Sequence, residues 1–183
     1  MDYSDDWRAK FWIPCLNTLI GNDDALSECQ KILIPTYDVF ASWSNQNSVI
    51  KEATKISKYA VLAAESVWNR AKENRGLTTK DYAQVSYMCA LITTIVGNQL
   101  ESRFIKDIPL MKTSMLYAWS RGLLIFEDVI KNSEDPDRVQ RIKLYESTKS
   151  KYEYYHRDLP NKNVIKKINR SREDIPKGDV LFT

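Results

Sequence analysis
Apolar residues recur at three- and four-residue spacing along most of this chain, the period of α-helices rather than strands. Trp7, Phe11, Cys15 and then Thr18 or Leu19 mark one face of a first helix. It starts after Ser4, with Asp5 and Asp6 in its first turn, where carboxylates suit the helix dipole. Pro14 either kinks this helix or marks its true start, and Gly21-Asn22 stops it. A second helix, capped by Asp23 or Asp24, runs through Leu26, Ile32 and Leu33 to Pro35, which breaks or bends it. Tyr37, Phe40, Ala41 and Trp43 carry the apolar face onward to the polar loop Ser44-Asn45-Gln46-Asn47.

The third helix is the clearest. Asn47 or Ser48 caps it, and Ile50, Ala53, Ser57, Ala60, Ala64, Val67 and Ala71 keep the spacing up to Arg75-Gly76. That stripe is made of small residues, which predicts close approach of a neighbouring helix. Thr78-Thr79-Lys80-Asp81 is an N-terminal capping pattern for a fourth helix with a broad apolar arc: Tyr82, Val85, Met88, Cys89, Ile92, Ile95 and Val96. It extends past Gly97 toward Phe104. Ile108-Pro109 opens a fifth helix, apolar nearly all round from Leu110 to Ile130, with Gly122 in its middle.

Asp135-Pro136-Asp137 opens a sixth helix over about 136–157, with cap, proline and acidic first turn in order. Its apolar stripe is thin: Val139, Ile142, Tyr145, Tyr152 and Tyr155. Asp158-Leu159-Pro160 ends it. The expected fold class is therefore all-α. A single bundle of about six helices occupies 1–158, the sixth long and basic, and an irregular basic tail occupies 159–183. With 43% hydrophobic residues the chain fills a core, and 5 Gly and 6 Pro leave little material for the turns of a sandwich or barrel.

The three cysteines, Cys15, Cys29 and Cys89, lie in apolar stretches without Cys-x-x-Cys spacing. They read as small hydrophobes in a reducing compartment, hence a cytoplasmic protein. The acidic N-terminus points away from a secretory signal, and no run approaches the ~18 apolar residues of a membrane span.

The single histidine removes most catalytic templates. Two-histidine zinc sites and di-iron bundles need more imidazoles. A hydrolase triad would have to use His156, which closes the charged sixth helix and there complements its dipole. Helical ribonucleases of the HEPN type carry an arginine a few residues before their histidine; here the nearest one upstream is Arg141. The adjacent carboxylates Asp5-Asp6, Asp23-Asp24, Glu127-Asp128 and Glu173-Asp174 suit helix starts and solvent better than a buried acid–base pair. No glycine-rich phosphate loop is present. The expectation is a non-enzyme with no metal, cofactor or small-molecule substrate.

Charge, in contrast, is patterned. Residues 1–133 hold 15 Lys/Arg and 15 Asp/Glu, whereas 138–172 hold 11 basic and 3 acidic residues. The basic residues Arg138, Arg141, Lys143, Lys149, Lys151, Arg157, Lys162, Lys166, Lys167, Arg170 and Arg172 are interleaved with Tyr152 and Tyr155. Such cations release counterions from phosphates, and such rings stack on unpaired bases. An ordinary solvated helix with a basic tail is the plainer alternative. The chain also holds 5 Trp, and Trp7, Trp12, Trp43 and Trp119 are candidate anchors of a homo-oligomer contact, set against a simple thick core.

The segment Trp7…Cys15-Leu16-Asn17-Thr18-Leu19-Ile20-Gly21-Asn22…Phe40-x-x-Trp43 resembles the opening helical pair of rod-shaped plant virus coat proteins. The likeness is confined to the first two helices, needs gaps in its spacing, and finds no counterpart to that family's later Arg/Asp RNA-contact motif. Two functions are expected. One is a self-associating coat, nucleocapsid or RNA-sequestering protein, binding nucleic acid through the basic helix and tail. The alternative is a protein–protein adaptor whose basic helix docks an acidic partner.

Overall fold
The computed structural model describes residues 6–104, 108–131 and 137–157, and every regular element among them is helical. The helices are α1 (Asp6–Leu19), α2 (Leu26–Ala41), α3 (Gln46–Glu73), α4 (Thr79–Arg103), α5 (Pro109–Ile130) and α6 (Arg138–His156), with a 3-10 turn at Asp23–Ala25. The tail 159–183, Asp135 and Pro136 lie outside the described residues.

Neither internal proline ends its helix. α1 passes through Pro14 and α2 through Pro35. A proline removes one backbone N–H and crowds the preceding turn. In α1 the Pro14 carbonyl accepts from Thr18 Oγ1 at 2.8 Å, and in α2 Thr36 Oγ1 donates to the Ile32 carbonyl at 2.7 Å. Buried apolar faces on both sides of each proline hold the segments together: Trp7, Phe11 and Cys15 in α1, and Leu33, Tyr37 and Phe40 in α2.

Two caps differ from the sequence reading. Asp23 and Asp24 form the 3-10 turn instead of capping α2, and Asp23 Oδ1 accepts from Arg70 Nε at 2.7 Å. α3 begins one turn earlier than expected because Asn45 is its cap, accepting from the Ser48 N–H at 3.1 Å. Thr78 caps α4 as its sequence indicates, accepting from the Asp81 N–H at 3.1 Å.

α4 and α5 form the most extensive helix pair, α3 lies against both, and α6 packs on α5. The small stripe of α3 is buried at Ala53, Ser57, Ala60, Ala64, Val67 and Ala71. Two glycines permit the close contacts of α4 with α5. Gly97 lies directly under the Trp119 indole, and a Cβ at Gly122 would sit 2.5 Å from Thr93 Oγ1. Trp119, Phe126, Met111, Met115, Ile92 and Leu100 are fully enclosed around this junction. Burying each such side chain contributes roughly 1.5–3 kcal/mol, more than the ~0–1 kcal/mol of an exposed ion pair. The fold is therefore held by its core, supplemented by the ion pair of Arg121 with Glu65, whose carboxylate is only 2% exposed.

Candidate nucleic-acid interface
α6 faces the bundle with a stripe that keeps Tyr145, Tyr152 and Tyr155 of the expected one but adds Arg141, Leu144 and Thr148 and leaves Val139 outside. Arg141 and Thr148 are buried, with Leu144, Tyr145, Tyr152 and Tyr155 partly so, whereas Val139 is 66% exposed. The three-four spacing that matters is 141-144-145-148-152-155, and its two polar members hide it in the sequence. Arg141 is accommodated by its guanidinium, 4.2 Å from the centre of the Tyr87 ring, and by the Ala83 carbonyl at 3.5 Å. A planar, weakly hydrated cation over an aromatic face tolerates such burial where an ammonium would not.

The basic residues of α6 consequently divide. Arg141 is enclosed. Lys151 extends across the bundle to Glu101 Oε1 at 2.9 Å and Asn98 Oδ1 at 3.4 Å, its ammonium 5.8 Å from the Trp119 ring centre. Arg138 is exposed and donates through Nε to the Ile130 carbonyl at 3.0 Å. Lys143, Lys149 and Arg157 are exposed, with no ion pair to a carboxylate among the described residues. Glu146 and Glu153 are exposed on the same helix. The free surface of α6 is thus a short mixed strip with a cationic excess. Lys162, Lys166, Lys167, Arg170 and Arg172 lie outside the described residues.

The tyrosines are anchored as well. Tyr155 packs against Trp119 with ring centres 5.8 Å apart, and Tyr152 against His156 at 5.3 Å. Burial raises the pKa of both phenols, and the Glu101 charge adds to the effect at Tyr155. Both keep partial exposure, so each presents an edge beside the free cations.

The tryptophan candidates separate in the same way. Trp7 and Trp119 are 4% and 0% exposed and belong to the core, so neither is accessible to a second subunit. Trp12 and Trp43 are partly exposed at its edge. Apart from Tyr154, the large apolar residues that face solvent among the described residues are aliphatic. In α1, Ala9, Ile13, Leu16 and Ile20 lie opposite the buried Trp7–Phe11–Cys15–Thr18 face, with Ile13 60% and Ile20 67% exposed. The sequence holds this signal, because 9-13-16-20 is itself a heptad-like spacing. It is overshadowed by the stronger aromatic stripe on the other side of the helix.

All three cysteines are free and buried. A hydrogen bond that the Cys15 thiol donates to Cys29, together with burial, pushes Cys15 up, and burial pushes Cys89 up to about 12. Among the described residues no group of three His, Cys, Asp or Glu could hold a metal ion, and no helix is long and apolar enough to cross a membrane. The chain matches no protein-family model, no curated protein sequence and no solved structure.

Proposed function
We propose that this protein is a non-catalytic helical subunit that self-associates and binds nucleic acid through α6 and the tail that follows it. The observation that carries the reading is the exposed set Lys143, Lys149 and Arg157, unpaired to carboxylates among the described residues. This set leads into a segment containing Lys162, Lys166, Lys167, Arg170 and Arg172. Cations of this kind bind polyphosphates by counterion release, with little sequence preference. Arg138 adds to the set, whereas Arg141 and Lys151 support it from within the fold.

Self-association is supported by α1. A helix that buries one stripe in its own core and presents a second, Ala9-Ile13-Leu16-Ile20, has the spacing by which two copies of one helix interlock. A second copy of this chain is the proposed occupant, with Trp12 at the margin of the contact.

Light scattering on purified protein, before and after nuclease, tests both parts. The reading expects an oligomer whose mass and 260/280 nm absorbance ratio fall on nuclease treatment. It also expects a protein oligomer that persists and is dissolved by Ile13→Glu with Ile20→Glu. A monomer free of nucleic acid under all conditions contradicts the proposal. A nucleic-acid-free chain that binds acidic protein through Lys143 and Lys149 would establish the adaptor function instead.

A further inference from the structure
We infer that the face shared by α1 and α3 is a second contact for nucleic acid, shaped for a single strand. It rests on the nucleic-acid reading above for the class of partner and adds a site on other helices. Lys51, Lys55 and Lys58 stand at helical spacing along α3, all exposed and none paired to a carboxylate among the described residues. Exposed Arg8 approaches from α1, its guanidinium 5.2 Å from the Trp7 ring centre.

Aromatic rings are interleaved with these cations. The Lys55 ammonium lies 5.3 Å from the Trp12 ring centre, and Trp12 meets Tyr59 edge to face at 5.1 Å. Trp12, Tyr59 and Trp43 are all partly exposed. At one end of the face, Arg8, Trp43, Asn45, Ser48, Lys51 and Glu52 line a recess of about 560 Å³. The N-terminus of the 28-residue α3 opens there, adding its partial positive charge.

Among the described residues, no acid pairs with Lys51, Lys55 or Lys58. Asp6 pairs with Lys10, Glu65 is buried against Arg121, and Glu52 alone faces the recess. Cations alone would suit any polyanion. Partly exposed indole and phenol rings beside them favour a strand whose bases are free to stack, since a duplex keeps its base faces hidden. The recess volume suits one small ligand unit such as a nucleotide. Phosphates are then held by Lys51, Lys55 and Lys58, and Glu52 is placed to accept from a base amino group.

The test is fluorescence anisotropy of a short fluorescein-labelled oligouridine, titrated over a salt series, with intrinsic tryptophan emission followed in parallel. Lys51→Glu, Lys55→Glu and Lys58→Glu together should weaken binding at least tenfold, with the helical circular-dichroism signal unchanged. They should also reduce the salt slope by about 2, at ~0.7 per phosphate contact. Oligouridine should quench tryptophan emission in the unaltered chain, and Trp12→Leu should weaken binding severalfold without altering the slope.

If the triple variant binds normally while Lys143→Glu with Lys149→Glu does not, this second site is overturned and the α6 reading stands. If the unaltered chain retains no oligouridine at low salt, both fall. If duplex or polyglutamate competes as well as oligouridine and emission is not quenched, the assignment to a single strand is overturned.

Discussion

Lys151 of α6 places its ammonium 2.9 Å from Glu101 of α4, so a cation in the most basic part of the sequence is spent inside the bundle. Its side chain is 38% exposed and that of Glu101 is 21% exposed. Solvent screening holds such a pair to about 1 kcal/mol or less. Lys151→Gln is therefore expected to lower the melting temperature slightly and leave oligonucleotide affinity within about twofold. Lys149→Gln should do the reverse, because Lys149 is exposed and its ammonium is a loose 6.0 Å from the Tyr145 ring centre. Thermal melts and anisotropy titrations of the two variants check the contrast.

A second asymmetry concerns Arg121 and Glu65, whose side chains are 22% and 2% exposed. Removing one partner of a buried pair deprives the other charge of its compensating ion. Glu65 is the less hydrated of the two, so Arg121→Met should cost about 3 kcal/mol and Glu65→Gln clearly less. Urea unfolding of the two variants measures the difference. Equal losses would mean that the carboxylate is not the costly member.

Gly122 supplies a test of the α4–α5 contact. Alanine is the better helix former by about 1 kcal/mol, yet its Cβ would lie 2.5 Å from Thr93 Oγ1 and 3.2 Å from Thr94 Oγ1. Overpacking costs ~1–3 kcal/mol, so Gly122→Ala should destabilise the protein. Adding Thr93→Ala should restore most of the loss, a coupling readable from a double-mutant cycle.

Alkaline stability follows from the buried thiols and phenol. Burial, reinforced by the Asp23 charge, raises Cys89 from an ordinary 9.0 to about 12, and burial also raises Tyr37 against the opposing effect of its hydrogen bond with Ser57. A group whose folded pKa lies above its unfolded value holds its proton in the native state after the unfolded chain has released it. Its stabilising contribution is complete below pH 9 and is lost as the pH rises toward 12. Within that window Cys89 removes about 1.4 kcal/mol per pH unit, and Tyr37 acts in the same direction above its ordinary 10.0. Cys89→Ala should flatten the decline in unfolding free energy above pH 9, measured by urea titration.

The helices were largely legible in the sequence because the buried stripes of α1 to α5 are mainly apolar and the starts of α4 and α5 carry recognisable residues. Thr78, Pro109 and the Ala53–Ala71 stripe stand where the spacing puts them. The errors share a physical cause, which is that tertiary contacts override local signals. At Pro14 and Pro35 the sequence left a kink and a break both open, and core burial on both sides keeps the helices continuous. Asp23 has cap chemistry, but Arg70 claims its carboxylate.

The candidate interface was less legible, because composition does not reveal which side of a helix a charge occupies. Arg141 fills an inward position by stacking on Tyr87, and Lys151 reaches inward along its flexible stem. The cations of α3 escaped notice for the opposite reason. Residues 1–133 balance to zero overall, and that balance conceals Glu65 buried in an ion pair while Lys51, Lys55 and Lys58 remain in solvent.

The central claim is that cations standing free of the bundle hold polyphosphate. The most direct measurement is the affinity of the full chain for a fluorescein-labelled oligouridine across a salt series. The account predicts a linear fall of log affinity with log salt, at about 0.7 per phosphate engaged, with a shallower line once Lys143 and Lys149 are changed to Glu. Absence of binding at low salt, or an affinity indifferent to salt, would contradict it.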